Sequence, residues 1–147
     1  MKKIITWLFC LYIALIFVQS LPFKFTGADE TAHIFSVLAD WSGLNWFAAY
    51  GAYGVGVMEL LASVLLFTAW RFYGALLATG LMGGAVFFHL FTPLGIKMPA
   101  YDASGNVIGD DGGLLFYNAC GVFASAIIVV LMEFLERLNR RERFLFS

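Results

Sequence analysis

Charged residues are scarce in this sequence of 147 residues: they make up 13% of it, whereas 61% of the residues are hydrophobic. Soluble domains average about a quarter charged and about half apolar residues, so this composition falls outside that class. A net charge of -1 indicates neither a nucleic-acid partner nor an acidic tail. The composition therefore predicts an integral membrane protein whose first partner is the lipid bilayer.

Cysteine pairs and the common catalytic motifs are also absent from the sequence. Cys10 and Cys120 lie in separate apolar runs and form no CxxC pair, so we interpret both as small buried hydrophobes. No serine-protease triad, phosphate-binding loop, dinucleotide fingerprint or zinc-spaced cysteine set occurs. The segment 102–107 begins like a calcium loop but has valine where that loop needs glycine. We therefore predict no metal site.

Long hydrophobic runs are what the sequence does contain. A hydrocarbon core of about 30 Å needs roughly 20 helical residues, and in lipid each segment must satisfy its own backbone hydrogen bonds. The first run also has features of a signal peptide, but no small-x-small cleavage site follows it, so we expect it to remain as a helix. We predict an all-α fold, a single integral membrane four-helix bundle. Its spans are about 4–21, 46–70, 73–94 and 114–135.

The distribution of lysine and arginine predicts the orientation of these helices. With the N-terminus inside, seven of the nine Lys and Arg residues fall on the cytoplasmic side, and only Lys24 and Lys97 fall outside. This positive-inside bias predicts that both termini are cytoplasmic. The segment 71–72 is the predicted turn between the second and third helices, which makes those two helices antiparallel neighbours.

The two outward connections are long enough to have structure of their own. Segment 26–41 predicts a short interfacial helix, capped by Thr26, that lies as a lid over the bundle. Segment 97–113 is rich in Gly, Asn and Asp at turn spacing, and predicts a small hairpin loop. The predicted lid helix has one apolar stripe, formed by Ile34, Phe35, Leu38 and Trp41.

Small residues four positions apart predict close contacts between membrane helices, since they let two backbones approach. Such spacing favours a compact bundle. The pairs are Ala52 and Gly56, Gly74 and Ala78, and Gly80 and Gly84.

Ionisable side chains inside the predicted spans need an explanation, because they are costly in hydrocarbon. Glu59 lies about thirteen residues into the second span, near its middle, and His89 lies about five residues before the outer end of the third. Gln19, Lys24 and Asn118 lie toward the outer ends of the first and fourth spans. We therefore predict that Glu59 and His89 share an outward-opening cavity with Lys24 or Asn118 at its rim.

These five polar residues are the candidates for ligand binding or proton handling. A carboxylate beside an imidazole could shuttle protons for a small amphipathic ligand such as a quinone head group. Two structural alternatives remain open: a satisfied pair of Glu59 and His89, or a protonated Glu59 bonded to a helix backbone. A bis-histidine haem is not favoured, because His33 lies in the predicted surface helix. The predicted walls of the cavity are aromatic: Phe87, Phe88, Phe91 and Tyr117.

Four sequence blocks occur in order along the chain: FKFTG at 23–27, MELLAS at 58–63, GLMGGAVFFHL at 80–90 and DGGLLF at 111–116. By these blocks the chain resembles the DoxX-like family of small bacterial membrane proteins over essentially its whole length. The resemblance implies a four-helix protein of the bacterial cytoplasmic (inner) membrane.

The resemblance also carries functional implications. Some members of the family are subunits of membrane oxidoreductases, including quinone-linked thiosulfate oxidation, and others are tied to redox or thiol homeostasis. By the same likeness Lys24, Glu59 and His89 fall on recurrent polar positions of the family. A thiol role is not favoured here, because the chain has no cysteine pair.

Three functional hypotheses follow. The first is a small subunit or partner of a quinone-linked membrane redox system, which implies other membrane protein subunits as partners. The second is a non-catalytic structural or assembly subunit of a larger membrane complex. The third is a free-standing binder of a small lipid or metabolite. The same apolar helices serve enzymes and scaffolds alike, so the sequence leaves open whether the chain is an enzyme.

Overall fold

The computed structural model describes the backbone of residues 2–145 and the side chains of residues 2–141. In this part of the chain it contains five helices and one two-stranded sheet. This confirms a helical fold with a small hairpin. The elements are α1 Lys2–Thr26, α2 Asp29–Ser42, α3 Asn45–Leu66, α4 Arg71–Phe91, β1 Pro99–Tyr101, β2 Val107–Asp110 and α5 Leu114–Leu145.

Four of these helices, α1, α3, α4 and α5, are long and apolar enough to cross a membrane. They correspond to the four predicted spans, although the predicted turn at 71–72 is wrong. The chain turns at 67–70 instead, and Arg71 begins α4. Thr68 stabilises this turn, since its hydroxyl donates to the Leu65 carbonyl and accepts a hydrogen bond from the Trp70 N–H.

The four long helices form a ring in which α1 contacts α3, α3 contacts α4, α4 contacts α5, and α5 contacts α1. Trp7, near the start of α1, stacks on Phe67 just after α3, whereas Phe25, near the end of α1, contacts Tyr53 in the first half of α3. The helices α1 and α3 are therefore antiparallel. We call the end with Trp7 and the α3–α4 turn the terminal end, and the end with α2 and the hairpin the cap end.

Small residues allow the closest helix approach in the bundle. A Cβ atom on Gly74 would lie 2.8 Å from the backbone nitrogen of Leu66, so this glycine lets α4 pass against the end of α3. Ala78, one turn later, is fully buried. The predicted contact at Gly80 and Gly84 is wrong, because no atom of the described residues lies within 4 Å of a Cβ added at either glycine. A spacing of four residues shows that two small residues share a helix face, but it does not show whether that face contacts another helix.

The helix α2 begins at Asp29, later than predicted, and the predicted cap by Thr26 is wrong. Thr26 is the last residue of α1, and its hydroxyl donates to the Pro22 carbonyl in the same helix. Gly27 follows with a φ of 68°, a left-handed conformation that glycine adopts without strain. The break between α1 and α2 is therefore made by this glycine.

The apolar stripe of α2 packs over the cap end of the bundle. Phe35 and Leu38 are buried, and Leu38 joins Leu94 and Met98 in a small apolar cluster. Trp41 remains 47% exposed and makes an edge contact with Phe88 of α4. The predicted lid is thus present as a helix packed on the bundle.

The predicted hairpin is also present at the cap end. Its strands β1 and β2 are antiparallel, with a shift in register between Ala100 and Tyr101. In the turn, the Asp102 carboxylate accepts backbone hydrogen bonds from Asn106 and Ser104, which lower the pKa of Asp102. The Tyr101 N–H donates to Glu30 Oε1 of α2 at 3.4 Å and so ties the hairpin to the lid helix.

Candidate functional site

The only carboxylate of α3 points into the bundle. Glu59 lies fourteen residues after Asn45, or about 21 Å along the helix, and its residue surface is 3% exposed. Gly56, Ala62 and Ser63, one turn before and after it, are also buried. Helical periodicity therefore places Glu59 on the inward stripe of α3, away from lipid.

Two side chains of α1 bind this carboxylate. The Lys24 ammonium lies 2.8 Å from Glu59 Oε2, and the Ser20 hydroxyl lies 3.0 Å from the same oxygen. Lys24 also donates to the Ser20 hydroxyl at 2.8 Å, because residues four apart share one face of a helix. We call these three residues the Ser20–Lys24–Glu59 cluster.

A glycine makes room for the cluster. A Cβ atom on Gly56 would lie 3.1 Å from the Phe25 ring and 3.6 Å from the Lys24 Cβ. The absence of a side chain at Gly56 therefore lets the last turn of α1 approach α3. The stem of Lys24 lies beside the glycine, and its ammonium reaches Glu59 one turn further along α3.

The cluster keeps some unused hydrogen-bonding capacity. An ammonium group has three donors, and two of those of Lys24 are directed at Ser20 and Glu59. Glu59 Oε1 receives no hydrogen bond from the residues that the structure describes, and the Ser63 hydroxyl bonds the backbone carbonyl of Glu59 instead. One N–H donor and one carboxylate oxygen thus remain.

His89 does not join this cluster. It is buried near the end of α4, and its Nδ1 lies 2.6 Å from the carbonyl oxygen of Gly95, where the chain folds back after the helix. A carbonyl only accepts, so Nδ1 carries the proton in this contact. The other face of the ring contacts Phe116. No hydrogen bond joins His89 to Glu59 among the described residues, so the satisfied pair that the sequence left open as a structural alternative is not formed, and each side chain has its own partners.

The remaining predicted site residues lie outside the cluster as well. Gln19 is exposed, because it is turned about 100° around α1 from Ser20. Asn118 is half-buried on α5, and no side-chain hydrogen bond in the described part of the chain links it to Glu59 or His89.

The predicted aromatic walls face away from the cluster. Phe87, Phe91 and Tyr117 are each between 46% and 67% exposed, and Phe87 stacks on Phe91. Phe88 is half-buried against Trp41 of the lid helix. The first three rings therefore lie on the outside of the bundle, and Phe88 packs against the small apolar cluster under the lid helix rather than beside Glu59.

Two features were missed by the sequence prediction. Ser20 belongs to the cluster, and its spacing of four from Lys24 was the available signal. At the terminal end, Arg71 Nη1 bonds Glu133 Oε1 of α5 at 3.0 Å. The Arg71 guanidinium also donates to the Leu66 carbonyl and lies 4.2 Å from the Trp7 ring centroid, so it holds several elements together.

No group of three or more His, Cys, Asp or Glu side chains that could hold a metal ion occurs among the described residues. No protein-family model, no curated protein and no solved structure matches this chain.

Proposed function

We propose that this chain is a small subunit or partner of a quinone-linked redox system in the bacterial inner membrane, as its resemblance to the DoxX-like family implies. In this proposal the Ser20–Lys24–Glu59 cluster binds the polar head of a quinone or a similar small amphipathic molecule. Partner subunits carry the electrons, and this chain contributes a binding and proton-exchange site.

The observation that carries the proposal is the buried ion pair of Lys24 and Glu59. Ionisable residues inside spanning helices are expensive, and they commonly mark ligand sites or proton pathways. Glu59 is 3% exposed, whereas the Lys24 side chain retains 16% exposure, so a ligand would reach the cluster at the ammonium group.

The unused hydrogen-bonding groups fit such a ligand. A quinone carbonyl accepts a hydrogen bond, which the third N–H of Lys24 would donate, and a quinol hydroxyl donates one, which Glu59 Oε1 would accept. A carboxylate in this position is also a suitable acceptor for a proton released by a quinol. The cluster therefore offers the donor and the acceptor that the two ligand forms need.

A second candidate function is a non-catalytic structural or assembly subunit. It is favoured by the contacts of Glu59 Oε2, which join α1 to α3, and by the use of His89 to hold the Gly95 carbonyl. Buried ion pairs of this kind can specify helix register without any chemistry.

The two candidate functions predict different effects on quinone binding when Glu59 keeps its shape but loses its charge. We would titrate decylubiquinone into the full chain in phospholipid nanodiscs and follow tryptophan fluorescence quenching. Glu59→Gln is expected to weaken binding roughly tenfold, about the effect of losing one charged hydrogen bond. Glu133→Gln, which neutralises the carboxylate that Arg71 pairs at the terminal end, is the matched control and is expected to bind like the wild type.

Equal binding by both variants and the wild type would contradict a ligand role for the cluster. If copurification with partner subunits were then lost in Glu59→Gln alone, the structural candidate would be favoured.

A further inference from the structure

A second polar site lies at the terminal end of the bundle. A cleft of about 890 Å³ opens between the start of α1, the α3–α4 turn and the second half of α5. Its volume falls within the range of about 300–1,000 Å³ that is typical of small-molecule sites. We call it the terminal cleft.

The charge of the terminal cleft is positive. Arg71 pairs with Glu133 at 3.0 Å and Arg140 pairs with Glu136 at 2.7 Å, so both carboxylates are already engaged. The cleft has two further cations, and neither of their ammonium groups has a partner among the described residues. These two are Lys2 and Lys3, both exposed and both lining the cleft.

One wall of the same cleft is apolar. Trp7 and Phe67 stack with ring centroids 5.6 Å apart, and Met132 and Leu135 line the side formed by α5. Tryptophan near the end of a spanning helix suits the boundary between head groups and hydrocarbon. The cleft thus combines unpaired cations with an apolar surface at a depth where lipid head groups meet acyl chains.

We propose that the terminal cleft binds an anionic phospholipid, with its phosphate beside Lys2 and Lys3 and its glycerol and first methylenes against Trp7 and Leu135. A basic pocket between the ends of membrane helices is the arrangement that holds such head groups. Free phosphate would use the cations but leave the apolar wall uncovered, which is why we commit to a lipid. The proposal does not depend on a quinone role for the Ser20–Lys24–Glu59 cluster, which lies toward the other end of α1.

The test uses the full chain in mild detergent, with bound lipid counted by native mass spectrometry. Dioleoyl phosphatidylglycerol is expected to be retained at one molecule per chain under conditions that remove dioleoyl phosphatidylcholine. The Lys2→Gln/Lys3→Gln double variant is expected to bind phosphatidylglycerol at least roughly tenfold more weakly, since each basic residue near the surface contributes appreciably. Circular dichroism of the same samples checks that the variant is folded.

The matched control is Arg141→Gln, an exposed cation of the same end that does not line the cleft. It is expected to retain phosphatidylglycerol as the wild type does. An equal loss in Arg141→Gln would show general attraction to charge and overturn the proposal, as would equal retention of phosphatidylcholine by the wild type. Displacement of phosphatidylglycerol by an equal concentration of inorganic phosphate would show a phosphate site and overturn the commitment to a lipid.

Discussion

Among the described residues, two ion pairs join different long helices of the bundle, and they are built differently. Lys24 and Glu59 meet between α1 and α3, and in the described part of the chain the side-chain partners of Glu59 are Lys24 and Ser20 alone. Arg71 and Glu133 meet at the terminal end, where Arg71 also bonds the Leu66 carbonyl and covers Trp7. Removal of Glu59 therefore leaves the Lys24 ammonium without a counter-charge. Removal of Glu133 leaves Arg71 with its other contacts, so its charge stays partly compensated.

The largest expected effect comes from breaking the deeper pair. Glu59→Leu leaves the Lys24 ammonium without its counter-charge, and we expect a loss of about 3–5 kcal/mol in the free energy of unfolding. Glu133→Leu should cost only about 1 kcal/mol, because Arg71 keeps its other contacts. Unfolding in mixed micelles, followed by circular dichroism, measures both values.

A double variant separates the charge effect from a packing effect. Lys24→Met/Glu59→Leu removes both charges of the deeper pair, and we expect most of the stability lost in Glu59→Leu to return. If the double variant were as unstable as the single one, the cost would lie in packing rather than in the unpaired ammonium.

A smaller effect distinguishes the packing of the two ends. A Cβ atom on Gly74, at the terminal end, meets the backbone of Leu66 at 2.8 Å, whereas one on Gly51, at the cap end, meets the Phe35 ring at 2.6 Å. A ring can turn aside and a helix backbone cannot. We therefore expect Gly74→Ala to cost about 1–3 kcal/mol and Gly51→Ala less, measured in the same unfolding assay.

Gly80→Ala is the control for this pair, because nothing lies within 4 Å of the added Cβ. It should raise stability by about 0.5–1 kcal/mol through the helix preference of alanine alone. A greater loss in Gly51→Ala than in Gly74→Ala would mean that the lid helix is packed more rigidly than the α3–α4 turn.

The smallest effect concerns pH and belongs to the cap end alone. Burial acts to raise the pKa of Asp111, but hydrogen bonds from the backbone N–H groups of Met98, Leu115 and Gly113 outweigh it and lower that pKa. A lowered pKa stabilises the fold above the ordinary value of about 3.9, and this stabilisation is lost as the pH falls through the lowered folded value.

Amide hydrogen exchange, corrected for the intrinsic rate, measures this loss. Protection of the Met98 and Leu115 amides should fall at acid pH, while that of Gly74, whose N–H bonds the Trp70 carbonyl at the terminal end, should not. Asp111→Asn should remove the pH dependence, at a cost of about 0.3–1 kcal/mol for the lost charge near the start of α5. A pH dependence that survives Asp111→Asn would assign it to another group.

Hydropathy was sufficient to predict the four long helices, and the turn residues were sufficient to predict the hairpin. Both features depend on local composition. The faces of the helices were less predictable. Depth along the helices placed Gln19 and His89 near Glu59. Gln19 instead lies on the exposed face of α1, and the His89 ring bonds the Gly95 carbonyl, where the chain folds back after α4. The predicted first span ended at residue 21, with Lys24 just past it at the rim of the cavity, whereas α1 continues to Thr26 and the Lys24 ammonium bonds Glu59 directly.

From the sequence we expected Glu59 either to be protonated or to find a donor, and the structure places the Lys24 ammonium and the Ser20 hydroxyl of α1 beside it. The cost of a buried carboxylate requires a partner, but it does not say which one. The choice of Lys24 over His89 depends on how α1 passes α3, where the last turn of α1 lies close to Gly56, and local sequence does not encode that tertiary contact.

The most direct test of a quinone site at the Ser20–Lys24–Glu59 cluster is to map where a photoreactive quinone labels the wild-type chain in nanodiscs. The account predicts labelling confined to the last turns of α1 and to the stretch of α3 around Gly56 and Glu59, with loss of the label when excess decylubiquinone is added. Labelling spread over the exposed faces of all four long helices, or unchanged by the competitor, would contradict it.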